Sequence, residues 1–213
     1  MRSVTRKIRA SDAEGALTTA EHVINTLEQL LIEGESFTSL SIDHLAKKAG
    51  IARATFYLHF RNKGELVGLL MKRVGKEMRI AARDSMDGLE QFGRADFLKF
   101  MEHAIEVQYR HRAAIRAVIE TSFYDPTVAQ IYQSFMEQMI ADTRHFIVRL
   151  QSAGQAHPAA GPELAELLTW AAERCCNQML KNNDSEASRC HLAALLTHVV
   201  WSSIAATPTD VPS

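Results

Sequence analysis

From Asp12 to Glu33 the apolar residues Ala16, Ala20, Val23, Ile24, Leu27, Leu30 and Leu31 recur every three or four positions. That is the stripe of an amphipathic helix, and Gly34 is placed to end it. Ile42, Leu45, Ala46 and Ala49 mark a short second helix, with Ser41 as its N-cap and Gly50 directly after it. A third short helix is predicted over Ala52–Phe60. Asn62-Lys63-Gly64-Glu65 reads as a capping-box start for a fourth, whose stripe is Leu66, Leu70, Val74 and Met78. The rest of the chain keeps the helical period, over about Ala95–His111 and Arg112–Phe123. Asp125-Pro126, N-cap plus proline at the first helical position, opens a long helix to about Ala153. Gly154–Gly161 reads as a loop. Pro162 opens a helix to about Lys181, and Asp184 caps a last one to about Ala205. No segment alternates with strand period and no internal repeat is visible, so an all-α fold is expected.

Composition bounds the class. The 213 residues are 46% hydrophobic and 23% charged, ordinary for a globular chain with a real core. No signal peptide and no apolar run of membrane-spanning length is visible, so a cytoplasmic location without membrane contact is expected. The three cysteines, Cys175, Cys176 and Cys190, are odd in number and lack CxxC spacing. They read as buried, reduced thiols acting as small apolar residues, and no metal or other cofactor is expected. The net charge of −1 conceals an asymmetry. Residues 1–80 hold 13 Lys and Arg against 9 Asp and Glu, a balance of +4, whereas residues 81–213 hold 11 against 16, a balance of −5. A basic front with an acidic remainder suits contact with nucleic acid. The first ten residues, with Arg2, Arg6, Lys7 and Arg9, read as a flexible basic arm, and residues 207–213 as a disordered tail.

Thr38–Leu66 carries the most information. Two short helices separated by a glycine-containing turn form a helix-turn-helix, in which the first helix braces the second against the major groove of DNA. The run AKKAGIARATFYLHFRNKGEL, with Gly50, Tyr57, Phe60 and Lys63 at its marker positions, resembles the signature of the TetR family of repressors. Arg53 opens the recognition helix and suits bidentate bonding to guanine. Ala54 lets that helix lie close to base edges, and Thr55 suits a phosphate or a thymine methyl. The resemblance implies phosphate contacts for Tyr57, His59 and Lys63. Thr38 and Ser41, at the start of the second helix, suit phosphate through side chain or backbone N–H. Phe56 and Phe60 read as core. Asp43 is unusual in a phosphate-facing region and suits the helix dipole instead.

The expected organisation is a basic arm over 1–10, a three-helix DNA-binding domain over 11–63, a helical-bundle ligand-binding and dimerisation domain over 64–206, and the tail. The helix from Glu65 to about Met86 would connect the two domains and act as a lever. The long helix from Pro126 has two apolar stripes and is expected to be sandwiched between neighbours. From Phe135 to His198 the spacing resembles the ethionamide-resistance repressor branch of the family. That resemblance implies a ligand channel lined by Phe97, Met101, Ala104, Gln108, Tyr132, Met136, Met139, Thr143, Phe146, Thr169, Ala172, Glu173 and Cys176. Asparagines that the branch presents to ligands fall here on Thr169 and Ala172, which leaves Thr143, Gln108 and Glu173 as polar anchors. For Glu173 an internal ion pair with a neighbouring arginine is the alternative.

The last two helices are expected to form a homodimer interface through Leu164, Leu168, Ala171, Cys175, Leu192, Leu195 and Val199, within broader apolar faces. No phosphate loop, nucleophile elbow or HExxH spacing is present, and no catalytic residue is expected. The reading is a repressor that binds a palindromic operator on double-stranded DNA as a homodimer and is released by a small, mostly apolar ligand. The alternatives are a ligand-responsive activator, or a helical small-molecule carrier that no longer reads DNA.

Overall fold

A computed structural model of the chain describes residues 10–86, 92–181 and 185–206. Among the described residues there are nine helices: α1 Ala10–Ile32, α2 Ile42–Lys48, α3 Arg53–His59, α4 Lys63–Met86, α5 Arg94–Arg110, α6 Arg112–Ser122, α7 Pro126–Ser152, α8 Leu164–Met179 and α9 Glu186–Ile204. The chain divides into two compact units between Leu70 and Met71, inside α4. The sequence places the boundary at the start of that helix. The difference has a physical cause: Leu66, Val67 and Leu70 are buried in its first turns, so those turns belong with the N-terminal core. The basic arm up to residue 9, the tail from residue 207 and the cap expected at Asp184 lie outside the described residues.

In the N-terminal unit, α1 buries Val23, Ile24, Leu27, Leu30 and Leu31, the stripe its periodicity announces. Ser41 caps α2 by accepting from the His44 N–H at 3.1 Å. At the other end of α2, Gly50 adopts φ +64° while its N–H reaches Lys47 O at 3.1 Å and the Ile51 N–H reaches Ala46 O at 3.0 Å. This is a Schellman closure, and its left-handed residue is glycine because a side chain there would clash with the backbone. The turn so made aims α3, whose Phe56 and Phe60 are fully buried with rings 5.0 Å apart. Each ring stabilises the unit by about 1.5–3 kcal/mol through burial alone.

In the C-terminal unit, Asp125 caps α7 through Thr127 N–H at 2.9 Å and Val128 N–H at 3.2 Å, with Pro126 at the first helical position. Ser185 caps α9 by accepting from the Ser188 N–H at 3.2 Å. One core runs through α5, α7, α8 and α9, with Phe97, Ile105, Ile147, Leu168, Leu192 and Ile204 among its buried members. The loop after α7 is pinned to the end of α9: His157 N–H donates to Ile204 O at 2.9 Å and Ala206 N–H to Gln155 O at 2.8 Å. Glu77 of α4 receives Arg110 Nη1 at 2.7 Å and lies 3.2 Å from His111 Nε2, which fixes the corner between α5 and α6 to α4. Among the described residues no helix is long and apolar enough to cross a membrane.

Candidate functional site

The N-terminal unit presents α3 outward. Arg53, Ala54, Tyr57 and Leu58 are exposed and fall at helical spacing on one face, while Phe56 and Phe60 anchor the opposite face. Thr55 and His59 sit half-buried beside this stripe. Thr38 and Ser41 are exposed, Thr38 sharing a 2.7 Å hydroxyl contact with Ser36. Leu58 is the member that the sequence reading passes over. It is 82% exposed whereas Phe56 on the same helix is fully buried, and apolar groups in the major groove read the thymine methyl.

Two of the cations are already engaged within the protein. Arg53 Nη1 donates to Asp43 Oδ2 at 2.5 Å, and its guanidinium lies 5.6 Å from the centre of the Tyr57 ring. Asp43, the first cause, and Tyr57 hold the Arg53 guanidinium above its ordinary pKa. Asp43 therefore does more than sit at a helix N-terminus. The Lys63 ammonium donates to Phe37 O at 2.7 Å, Leu40 O at 2.8 Å and Thr38 O at 3.4 Å, and lies 4.6 Å from the centre of the Phe37 ring. An ammonium has three N–H donors, and at least two of them are taken by the Phe37 and Leu40 carbonyls. Lys63 thus ties the start of α4 to the segment between α1 and α2, and a phosphate contact there would compete with that tie.

The C-terminal unit holds a partly open cavity of about 410 Å³ between α4, α5, α7, α8 and α9. That size is in the range of small-molecule sites. Twelve of the thirteen positions expected to line a channel are on its wall: Phe97, Met101, Ala104 and Gln108 of α5, Met136, Met139, Thr143 and Phe146 of α7, and Thr169, Ala172, Glu173 and Cys176 of α8. Tyr132 is not. Its ring stands edge-on to Trp170 at 6.2 Å, and its hydroxyl interacts with the Glu173 carboxyl. The reading also omitted Met78, Arg79, Ala82 and Arg83 of α4. Met78 closes the apolar stripe of that helix, so this wall was partly visible.

One end of the cavity is aromatic. Phe97 and Phe146 of the wall stack at 5.7 Å, and Trp201, which does not line the cavity, meets Phe97 at 5.6 Å. Polar groups are few. Thr169 Oγ1 donates to Thr143 Oγ1 at 3.0 Å, and Thr143 donates onward to Met139 O at 3.0 Å, so the Thr143 proton is already used. Glu173 Oε1 and Asp142 Oδ2 are buried without a hydrogen-bond partner. Burial raises the Glu173 carboxyl above the ordinary glutamate value, against smaller lowering effects of Tyr132 and Arg174. Burial, with smaller contributions from Cys175 and Glu173, pushes the Cys176 thiol up to about 12, so it stays neutral and behaves as an apolar group.

Two expectations on α8 and α9 need correction. Leu168 and Leu192 are 7% and 1% exposed inside the subunit's own core, so neither is available to a partner. The same holds for Cys176, Leu196 and Val200 in the broader faces. The outward stripe consists of Leu167, Ala171, Cys175 and Met179 on α8 with Leu195 and Val199 on α9, Leu164 being half-buried. Cys175 and Cys190 are exposed rather than buried. Adjacent residues on a helix point about 100° apart, so Cys175 cannot share the inward aim of Cys176.

Residues 30–70 match the family described as bacterial regulatory proteins, tetR family. The HTH-type transcriptional regulator EthR of Mycolicibacterium smegmatis is 29% identical over 190 residues, covering 86% of this chain and 85% of that protein. EthR of Mycobacterium tuberculosis is 28% identical over 185 residues, covering 85% of each. Among solved structures, Salmonella enterica GusR superposes with a TM-score of 0.73 at 19% identity, over 93% of this chain and 99% of that one. NalD of Pseudomonas aeruginosa, described as the secondary repressor of a multidrug efflux pump, superposes with a TM-score of 0.65 at 15% identity, over 88% and 98%. The matched region is the helix-turn-helix that carries the exposed α3 stripe, and the relatives extend the likeness through the helical C-terminal unit. Residues 30–70 thus match the tetR family of bacterial regulatory proteins, and over 86% of its length the chain is similar to the transcriptional regulator EthR.

Proposed function

We propose that the protein is a repressor that binds a palindromic operator as a homodimer and is released when a small, mostly apolar ligand occupies the cavity of the C-terminal unit. The observation that carries this reading is that one chain holds both an outward α3 stripe of Arg53, Ala54, Tyr57 and Leu58 and a largely apolar cavity of about 410 Å³. A single seven-residue helix reads few base pairs, so a second copy supplies the other half-site, ~34–36 Å away along the duplex. The outward stripe of α8 and α9 is apolar enough for an isologous contact. The name of NalD as a repressor favours repression over activation.

Coupling requires that the ligand bind one arrangement of the dimer better than the one that fits DNA, since equal affinity for both shifts nothing. Helix α4 is continuous from Lys63 to Met86 and contributes to both units, which suits it to carry such a bias.

The test is selection of binding sites from random duplex DNA, followed by a reporter whose promoter overlaps the selected site. A palindromic consensus, lost with Arg53→Ala, and lowered reporter output support the reading. A consensus without two-fold symmetry overturns the homodimer. Raised output establishes an activator in its place.

A further inference from the structure

The cavity wall is not electrically indifferent. Of the side-chain nitrogen and oxygen atoms that are buried without a hydrogen-bond partner among the described residues, two belong to lining residues, Glu173 Oε1 and Asp142 Oδ2. Both are carboxylate oxygens. Neither can be satisfied by a ligand that only accepts hydrogen bonds.

The cations near the same space are arranged differently. Arg79, Arg83, His145 and Arg149 also line it, yet the Arg79 and Arg83 side chains are 47% and 65% exposed and His145 and Arg149 are exposed too, so their donors reach water. Arg79 Nη1 stays 3.9 Å from Asp142 Oδ2, too far for a hydrogen bond. Arg83 already faces Asp84 at 3.6 Å. The remaining hydroxyls, Thr143 and Thr169, are bonded to one another. Glu173 Oε1 is thus an unsatisfied acceptor on the wall, and Asp142 Oδ2 is a second on a side chain that is 39% exposed and whose Oδ1 accepts from Gln138 at 2.9 Å, while the positive groups are solvated.

An unmet acceptor in an apolar site costs free energy that a ligand's N–H can recover. An anionic ligand would instead add a like charge beside two carboxyl groups. Glu173 lies one helical turn beyond Thr169 on α8, and the lining rings of Phe97, Phe100 and Phe146 offer an apolar surface for the rest of the molecule. Resting on the reading of this cavity as the ligand site, we propose that the ligand is a hydrophobic amine whose N–H group docks on Glu173 Oε1, with Asp142 as the second acceptor that discriminates against anions.

The experiment is isothermal titration of the full chain, without DNA, with decylamine, decanol and decanoate. These probes share a tail and differ in headgroup. Decylamine is expected to bind about tenfold more tightly than the other two, the factor a charge-assisted hydrogen bond supplies. In Glu173→Gln that advantage should fall to about twofold or less, while decanol affinity is unchanged, which shows that the cavity is intact. Asp142→Asn should improve decanoate binding without abolishing that of decylamine. Decanoate binding as tightly as decylamine, or an amine preference that survives Glu173→Gln, overturns the proposal and leaves the cavity as an apolar ligand site. Failure of all three probes to bind overturns the ligand-site reading and this proposal together, and leaves the DNA-binding result standing.

Discussion

Arg53 opens α3 with its guanidinium 2.5 Å from the carboxylate of Asp43 in the first turn of α2. The residue best suited to read a guanine is thus held by an acid ten positions earlier. A phosphate or base that takes the guanidinium must displace this carboxylate, and Asp43 itself repels the DNA backbone. Asp43→Asn is expected to raise affinity for unrelated duplex DNA and to steepen the salt dependence of binding by about one counterion. Operator selectivity should fall. Band-shift titration at several salt concentrations, on operator and scrambled sequence, reads both effects. An unchanged salt slope would mean that Arg53 takes no phosphate.

Lys63 behaves in the opposite way, because its ammonium is spent on Phe37, Thr38 and Leu40 carbonyls. Lys63→Met should destabilise the protein by about 1–3 kcal/mol, the cost of leaving half-buried carbonyls without a charged donor. Arg53→Ala should leave the melting midpoint almost unchanged while removing operator binding. Urea titrations of the two variants separate a structural lysine from a DNA-reading arginine. Equal stability in both would return Lys63 to the phosphate-contact role.

The two faces of α9 make contrasting predictions. Val199 is 52% exposed and Leu192 is 1% exposed. Val199→Glu should yield a folded monomer in size-exclusion chromatography, with operator binding lost. Leu192→Glu should fail to fold, since a carboxylate would be forced into the core without a partner. A folded dimer of Val199→Glu would place the interface elsewhere.

Glu173 links pH to stability. Burial raises its carboxyl above the ordinary glutamate value, so the folded protein holds the proton more tightly than the unfolded chain does. The stabilisation is complete below the unfolded value and is lost as pH rises through the folded one. Glu173→Gln removes this dependence. Its melting temperature should exceed that of the parent at neutral pH, with the difference shrinking as pH falls towards about 4. A difference that grows on acidification would contradict the assignment.

Filling the cavity tests its role in regulation. Ala104 is buried on the cavity wall, and Ala104→Phe puts a ring into that space. Operator binding should persist and stability should shift by no more than about 1–3 kcal/mol, while ligand no longer releases DNA. A fully responsive variant would locate the regulatory site outside this cavity.

Much of the molecule was legible in its sequence because much of it is local. Ser41, Gly50 and Asp125-Pro126 act on backbone groups within a few residues, so their capping and turn roles follow from chain order. Phe56 and Phe60 declare the buried face of α3 by spacing alone, whereas the twelve positions found on the cavity wall follow from the resemblance to the ethionamide-resistance repressor branch. The relations between elements were not legible. Period shows that α9 is apolar all round, yet only packing decides that Leu192 faces the core and Leu195 faces outward. Tyr132 is a lining residue by the same resemblance but turns to Trp170 and Glu173. Arg53 and Lys63 look alike as cations beside a recognition helix, but partners 10 and 23–26 residues away, Asp43 for one and backbone carbonyls for the other, give them different tasks. A periodic pattern specifies the direction of a side chain relative to its own helix. Which neighbour it then meets depends on helix packing, which no single segment encodes.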